Sequence, residues 1–264
     1  MINLLGTRIS DTRKKELLQR IERTLSIRVN PPAHPRKSAP LWMVTANPEM
    51  LLKAYRDNAY RSILNQADVI VADGVGVVLA ARLLYGARLE RITGADLAEE
   101  ILRLALRHHK KVFPLGGSAK VNQKAIENVT HYTLQATNVH GLGGEFTEEK
   151  AIKEIAKYQP DILFVALGSP KQEQFIDNLT KRLTLNSPQG ECCEGRLAKP
   201  CIMMGIGGTI DFWARPSLRA PEIFQRIGLE WLWRLIRQPW RIKRILNAII
   251  VFPVLAAREY FAKK

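Results

Sequence analysis

At 264 residues with 46% apolar side chains, the chain can bury one substantial core plus an appendage and is too hydrophobic for a disordered polymer. Its formal net charge of +15 and pI near 10.0 call for an anionic partner, whether nucleic acid, an acidic membrane or a phosphate-bearing substrate. Three cysteines, Cys192, Cys193 and Cys201, and five histidines stand in no metal-ligand spacing, which argues against a zinc finger or an HExxH site and predicts neither disulfide nor structural metal.

The opening MINLLGTRISDTRKK lacks the apolar stretch of a signal peptide, and no run approaches the roughly 18 apolar residues of a spanning helix, so a cytoplasmic protein is expected. An N-terminal helix leads into a proline-rich loop over 29–40, VNPPAHPRKSAP. From Leu41 to Phe212 apolar runs alternate with amphipathic stretches. LWMVT, DVIVA, KVFPLGG, ATNVHGLG, DILFVALG and CIMMGIGG each have the pattern of a buried strand ending in a turn. GADLAEEILRLALRHHK and TEEKAIKEIAKY have helical periodicity. The alternation predicts an α/β, Rossmann-like fold with a largely parallel sheet flanked by helices. Residues 183–200, LTLNSPQGECCEGRLAKP, interrupt a helix-to-strand connection and have the composition of a surface insertion. A catalytic core over 1–221 would then be followed by a basic amphipathic appendage over 222–264, with Pro239 and Pro253 as breaks.

In a parallel sheet ligands gather at the carboxyl ends of strands, so the residues there carry the candidate chemistry. Thr45 and Asn47 in TANPEM could present a hydroxyl and an amide to a sugar; the plainer reading makes Asn47 an N-cap with Pro48 at the first helical position. Asp73 in VADGVG is placed to act as a general base toward a hydroxyl, although Asp-Gly is also a common turn pair. The turns LGGS, ALGSPKQE and GIGGTIDF, with Gly116, Gly117, Gly168, Gly205, Gly207, Gly208 and Asp211, can aim backbone N–H groups at phosphate. None is a P-loop or a GxGxxG, which disfavours nucleoside triphosphatases and dinucleotide-dependent oxidoreductases.

The segment from Arg215 to Lys264 holds eleven Lys/Arg against three Glu, so +8 of the +15 lies there. Its Trp231, Trp233 and Trp240 interleave with arginines, a pattern of interfacial helices, and ILNAIIVFPVLAA adds an apolar patch. An amphipathic helix docked on the core with a solvated basic face has the same pattern, and a nucleic-acid-binding tail is a further reading of the Trp/Arg mixture.

TANPEM, VADGVGVVLA, ERITGADL, FPLGG, FVALGSPKQEQFI, MGIGGTIDF, RAP and LEWLWRLIRQPWRIKR together resemble, in order and spacing, the WecG/TagA/CpsF family of glycosyltransferases (glycosyltransferase family 26) from about Leu4 to Asn247. The resemblance implies an inverting, metal-independent transferase that uses a UDP-sugar, often an N-acetylmannosamine derivative, and a polyprenyl-diphosphate-linked sugar acceptor. Such enzymes build teichoic acid linkers, enterobacterial common antigen and exopolysaccharides at the inner face of the membrane. It further implies Asp73 as the base, Thr45, Asn47, Arg91 and Gln172 as its companions, and Arg234, Arg241 and Arg244 of the appendage as residues that fold over the site. No cofactor and no nucleic-acid partner follow from it, and self-association stays open. The absence of any DxD agrees with a diphosphate neutralised by arginines rather than by a metal. Two departures, Arg215 after Ala214 and Glu145 before the FTEE segment, bear on the donor sugar.

Overall fold

A computed structural model describes residues 1–26, 40–131, 138–185, 202–226, 228, 230–237, 239 and 242–262. Its centre is a five-stranded sheet built from β3 (Leu41–Ala46), β4 (Val69–Ala72), β5 (Val112–Gly116), β6 (Ile162–Ala166) and β7 (Ile202–Gly205), in the order β4-β3-β7-β6-β5. The pairs β3/β7, β6/β7 and β5/β6 are parallel, and β5 is buried along its whole length, as a parallel strand covered by helices requires. This is the α/β, Rossmann-like architecture expected from the alternation of runs, followed by a helical appendage.

The sixth expected strand, ATNVHGLG, does not form in the described residues. Val139 and Leu142 make isolated parallel bridges to Val112 and Leu115. The glycines explain why: a Cβ at Gly141 would lie 2.5 Å from the Pro114 carbonyl oxygen, and one at Gly143 would lie 2.5 Å from Asn122 Cβ, so this segment hugs β5 and α6 rather than running as a regular strand.

The chain groups into two compact units. The first comprises Met1–Lys14, Val44–Thr93 and Ser217–Lys264. It opens with an unexpected antiparallel hairpin of β1 (Ile2–Leu4) and β2 (Thr7–Ile9), turned by Leu5 and Gly6, both at positive φ. Asn65 pins it, accepting from Arg8 N and donating to Gly6 O, both at 3.0 Å. The unit continues through α2 (Pro48–Arg56), α3 (Asn58–Leu64) and α4 (Val75–Tyr85).

Its later part holds α10 (Glu222–Arg226), α11 (Glu230–Arg237), α12 (Ile242–Leu246) and α13 (Phe252–Ala262). Pro239 lies between the end of α11 and the start of α12, and residues 238, 240 and 241 beside it are outside the described residues. The break expected at Pro253 does not occur: α12, a π turn over Asn247–Val251 and α13 run on as one helix, Ile242–Ala262. The π turn accounts for this, since Phe252 N–H reaches back five residues to Asn247 O and the widened turn gives the proline ring room. The continuous helix has 21 residues, about 31 Å, long and apolar enough by length and composition to cross a membrane, which corrects the expectation that no such segment exists.

The second unit comprises Lys15–Met43 and Gly94–Pro216. It contains nearly all of α1 (Lys14–Ser26), and α5 (Gly94–Arg107), α6 (Ala119–His131), α7 (Glu148–Tyr158), α8 (Lys171–Leu185) and α9 (Thr209–Ala214). In α5 the apolar positions Leu97, Ile101, Leu102 and Ala105 recur at helical spacing and are buried, each Leu or Ile contributing about 1.5–3 kcal/mol. Thr147 caps α7 by accepting from Lys150 N at 3.2 Å, with Glu148 and Glu149 favourably placed in the first turn. The proline-rich loop, most of the 183–200 insertion and all three cysteines fall outside the described residues.

Tyr158 ends α7 with its ring beside Phe113 and His140 and with Lys111 Nζ 5.4 Å from its centroid, while its hydroxyl is buried without a partner among the described residues. Burial, and secondarily the Asp161 charge, push the phenol up to about 12. The unfolded chain, with an ordinary phenol near pH 10, releases this proton first, so stability falls between about pH 10 and pH 12. Tyr158→Phe is expected to raise stability by about 1 kcal/mol and to flatten that alkaline loss, read by denaturant unfolding at pH 8 and pH 11.

Candidate active site

Thr45, Asn47, Asp73 and the glycines singled out in the sequence lie on the carboxyl ends of their strands or within three residues of them, while Gln172 and Asp211 lie in the helices that follow. In the first unit, Thr45 is the penultimate residue of β3 and is buried. Asn47 follows the strand and caps α2, its Oδ1 accepting from Met50 N at 3.0 Å with Pro48 at the helix start. The capping role thus occupies the oxygen and leaves the amide nitrogen without a partner among the described residues, so the two readings of Asn47 are compatible. Asp73 directly follows β4; its N–H donates to Ala46 O at 2.8 Å, which ties the two strand ends together. Gly74, at φ 99°, then turns the chain into α4.

These two turns touch. A Cβ built on Gly74 would lie 3.5 Å from Pro48 Cδ, and one on Gly76 would lie 3.3 Å from Pro48 Cγ and 3.7 Å from the Ala248 carbonyl oxygen of the π turn. Arg91 donates from Nη2 to Gln225 O at 2.6 Å, so it is tied to α10. Arg244 on α12 grips Glu49 in the first turn of α2. Four of the six companion and tail positions in this unit, Thr45, Asn47, Arg91 and Arg244, therefore belong with Asp73 to segments in mutual contact or joined by hydrogen bonds. Arg234 lies on α11, its side chain outside the described set, and Arg241 lies outside it altogether.

In the second unit the glycine turns converge on one another. Gly116, at φ 108°, closes β5 where a Cβ would lie 2.5 Å from the Ala166 carbonyl oxygen, so only glycine fits between the neighbouring strand ends. Gly117 N donates to Ala166 O at 3.3 Å, and its own carbonyl accepts from Gly144 N at 2.8 Å. Gly168 follows β6 at φ 74°. Gln172 in α8 is buried; its Nε2 donates to Glu173 Oε1 at 2.7 Å and its Oε1 accepts from Gly207 N at 3.1 Å. Its amide thus braces the Gly205–Gly208 turn, and Gly205 has no room for a side chain against it. Asp211 is exposed in the first turn of α9, with Gly208 O accepting from its N–H.

Three residues that take part in this arrangement drew no attention in the sequence. Glu173 is buried beside Gln172, Glu49 holds Arg244, and Asn122 donates from Nδ2 to Pro114, Gly116 and Leu142 carbonyls at 3.0, 2.9 and 3.3 Å, joining the LGGS turn to the GLGG segment. Among the described residues no three His, Cys, Asp or Glu side chains stand together as a metal set. Chemically, a carboxylate at a strand end, a capping amide and guanidinium groups form a set able to deprotonate a hydroxyl and to neutralise an anionic leaving group.

A family model described as the glycosyl transferase WecG/TagA/CpsF family matches residues 2–264. Proteins of Staphylococcus aureus strains MRSA252, MW2 and NCTC 8325, each named N-acetylglucosaminyldiphosphoundecaprenol N-acetyl-beta-D-mannosaminyltransferase, are 31% identical over 264 residues, covering 100% of this chain and 95% of each relative.

Proposed function

The chain belongs to the WecG/TagA/CpsF family of glycosyltransferases, and from that membership we propose that it moves N-acetylmannosamine, or a related hexose derivative, from a UDP donor onto a polyprenyl-diphosphate-linked sugar in cell-surface polysaccharide synthesis. The names of the relatives support the acceptor class: an N-acetylglucosaminyl group carried on diphosphoundecaprenol. The observation that carries the reading is the meeting of the Asp73 turn, the Asn47–Pro48 turn and the π turn of the appendage within one unit.

Asp73 takes the proton of the acceptor hydroxyl as that oxygen attacks the anomeric carbon from the face opposite UDP. The new C–O bond forms as the bond to the diphosphate breaks, giving single-step inversion, and the negative charge passes to the departing UDP. Arg244, with Arg234 and Arg241, supplies the positive charge that a metal supplies elsewhere. Thr45 and Asn47 orient the sugar with hydroxyl and amide groups. Gly116, Gly117, Gly168, Gly205, Gly207, Gly208 and Asp211 stand as the substrate-binding positions of the second unit, with Gln172 as their brace.

In this reading the enzyme works as a peripheral protein at the inner face of the membrane, held there by the appendage. Ile249 and Ile250 are about half exposed and Phe261 more so, while Phe252 and Ala256 are buried and α13 packs on α2 and α4. A helix docked along half its length supports a surface-bound element over an isolated span. A panel of UDP-sugars offered with a polyprenyl-diphosphate-N-acetylglucosamine analogue, with products read by mass, tests the whole reading. Transfer from UDP-N-acetylmannosamine, unchanged by EDTA and with an inverted anomeric centre by NMR, is the expected result. No transfer from any UDP-sugar sinks the function, and loss of turnover in EDTA sinks metal independence.

A further inference from the structure

We propose that Glu49 is a positioning residue for the transfer step, holding the Arg244 guanidinium at two points beside the turn that follows β3. The proposal rests on the function read above, in which Arg244 meets the leaving diphosphate. Arg244 Nε lies 2.9 and 3.0 Å from the two carboxylate oxygens of Glu49, and Nη2 lies 2.7 Å from Oε2. Such a two-point, charge-assisted contact fixes the plane of the guanidinium as well as its place.

Both side chains are partly exposed, 56% for Arg244 and 26% for Glu49, so the pair adds little to global stability. Its value is geometric. A long arginine on a half-exposed helix otherwise spreads over many rotamers, and the clamp removes that freedom before substrate arrives. Glu49 lies in the first turn of α2, where the helix dipole favours a carboxylate, two residues beyond Asn47. The clamp therefore joins α12 to the turn whose Pro48 touches the Gly74–Gly76 backbone after Asp73.

Glu49 and a diphosphate are both anionic and would compete for one cation, so the way the guanidinium is shared matters. Glu49 occupies the Nε/Nη2 edge; among the described residues Nη1 takes no hydrogen bond, which leaves the opposite edge for a phosphate oxygen.

The full chain carrying Glu49→Gln, Arg244→Gln or the reciprocal Glu49→Arg/Arg244→Glu pair tests this with two readouts. One is kcat and KM for UDP-N-acetylmannosamine transfer; the other is amide hydrogen exchange over 242–262 with no substrate present. Glu49→Gln is expected to lower kcat by about 10-fold or more with acceptor KM within about twofold, and to speed exchange in α12. The reciprocal pair is expected to restore slow exchange but not kcat, because a carboxylate then faces the diphosphate. Full kcat in Glu49→Gln, unchanged exchange in that variant, or recovery of kcat in the reciprocal pair overturns the proposal. The exchange readout needs no substrate, so failure of the clamp stays distinguishable from failure of the transferase reading.

Discussion

Asp73→Asn is expected to lower the transfer rate by about 10³-fold or more, while the thermal midpoint and UDP binding stay near wild type. The side chains are nearly the same shape, and the backbone contact that seats this residue, Asp73 N–H to Ala46 O, does not involve the carboxylate. What the amide cannot do is accept the acceptor's proton. Transfer assayed with the lipid-diphosphate analogue, beside UDP titration calorimetry, reads both halves. Turnover within tenfold of wild type removes Asp73 as the base, and a collapsed thermal midpoint would make the loss a folding effect.

The second large effect is expected from cutting the chain before Glu222. Binding to anionic vesicles should weaken by at least about tenfold, and transfer to a soluble acceptor analogue should fall by about 10²-fold or more, since the arginines leave with the apolar helix. The truncation also uncovers the faces of α2 and α4 on which α13 packs and removes the Gln225 carbonyl that holds Arg91. Two gentler variants separate these contributions. Ile249→Glu/Ile250→Glu, at positions 48% and 55% exposed, is expected to release the protein from vesicles while transfer to the soluble analogue persists. Arg234→Ala/Arg241→Ala/Arg244→Ala is expected to abolish transfer to that same analogue. Retained turnover in the triple variant would leave the arginines as anchors alone.

The parallel sheet was legible in the sequence because buried strands read as short apolar runs and each ends in a turn, Asn-Pro after β3, Asp-Gly after β4 and glycine at the other three. The hairpin Ile2–Ile9 was not, because its turn uses Leu5 at positive φ where asparagine or glycine is the usual signal. ATNVHGLG has a strand's composition, but the feature that stops it pairing regularly is the approach of Asn122 and the Pro114 carbonyl, which no local pattern reports. Pro253 misled for a similar reason, since a π turn before a proline has no sequence mark. Among the candidate site residues, the positions of those that follow strands could be read directly. Glu49 could not, because its partner lies 195 residues away and a glutamate in a first helical turn is ordinary.

The first unit is assembled from Met1–Lys14, Val44–Thr93 and Ser217–Lys264, and the stretch Gly94–Pro216 that separates its parts belongs to the second. During synthesis the Asn47 and Asp73 turns therefore leave the ribosome long before Arg244, at about 5–20 residues per second, and wait through more than 120 residues of other chain. Contacts of such long sequence separation form late and slowly. On the proposed mechanism, the nascent chain thus holds a base without its counter-charge, and transfer would become possible only once the apolar C-terminal helix has itself been made.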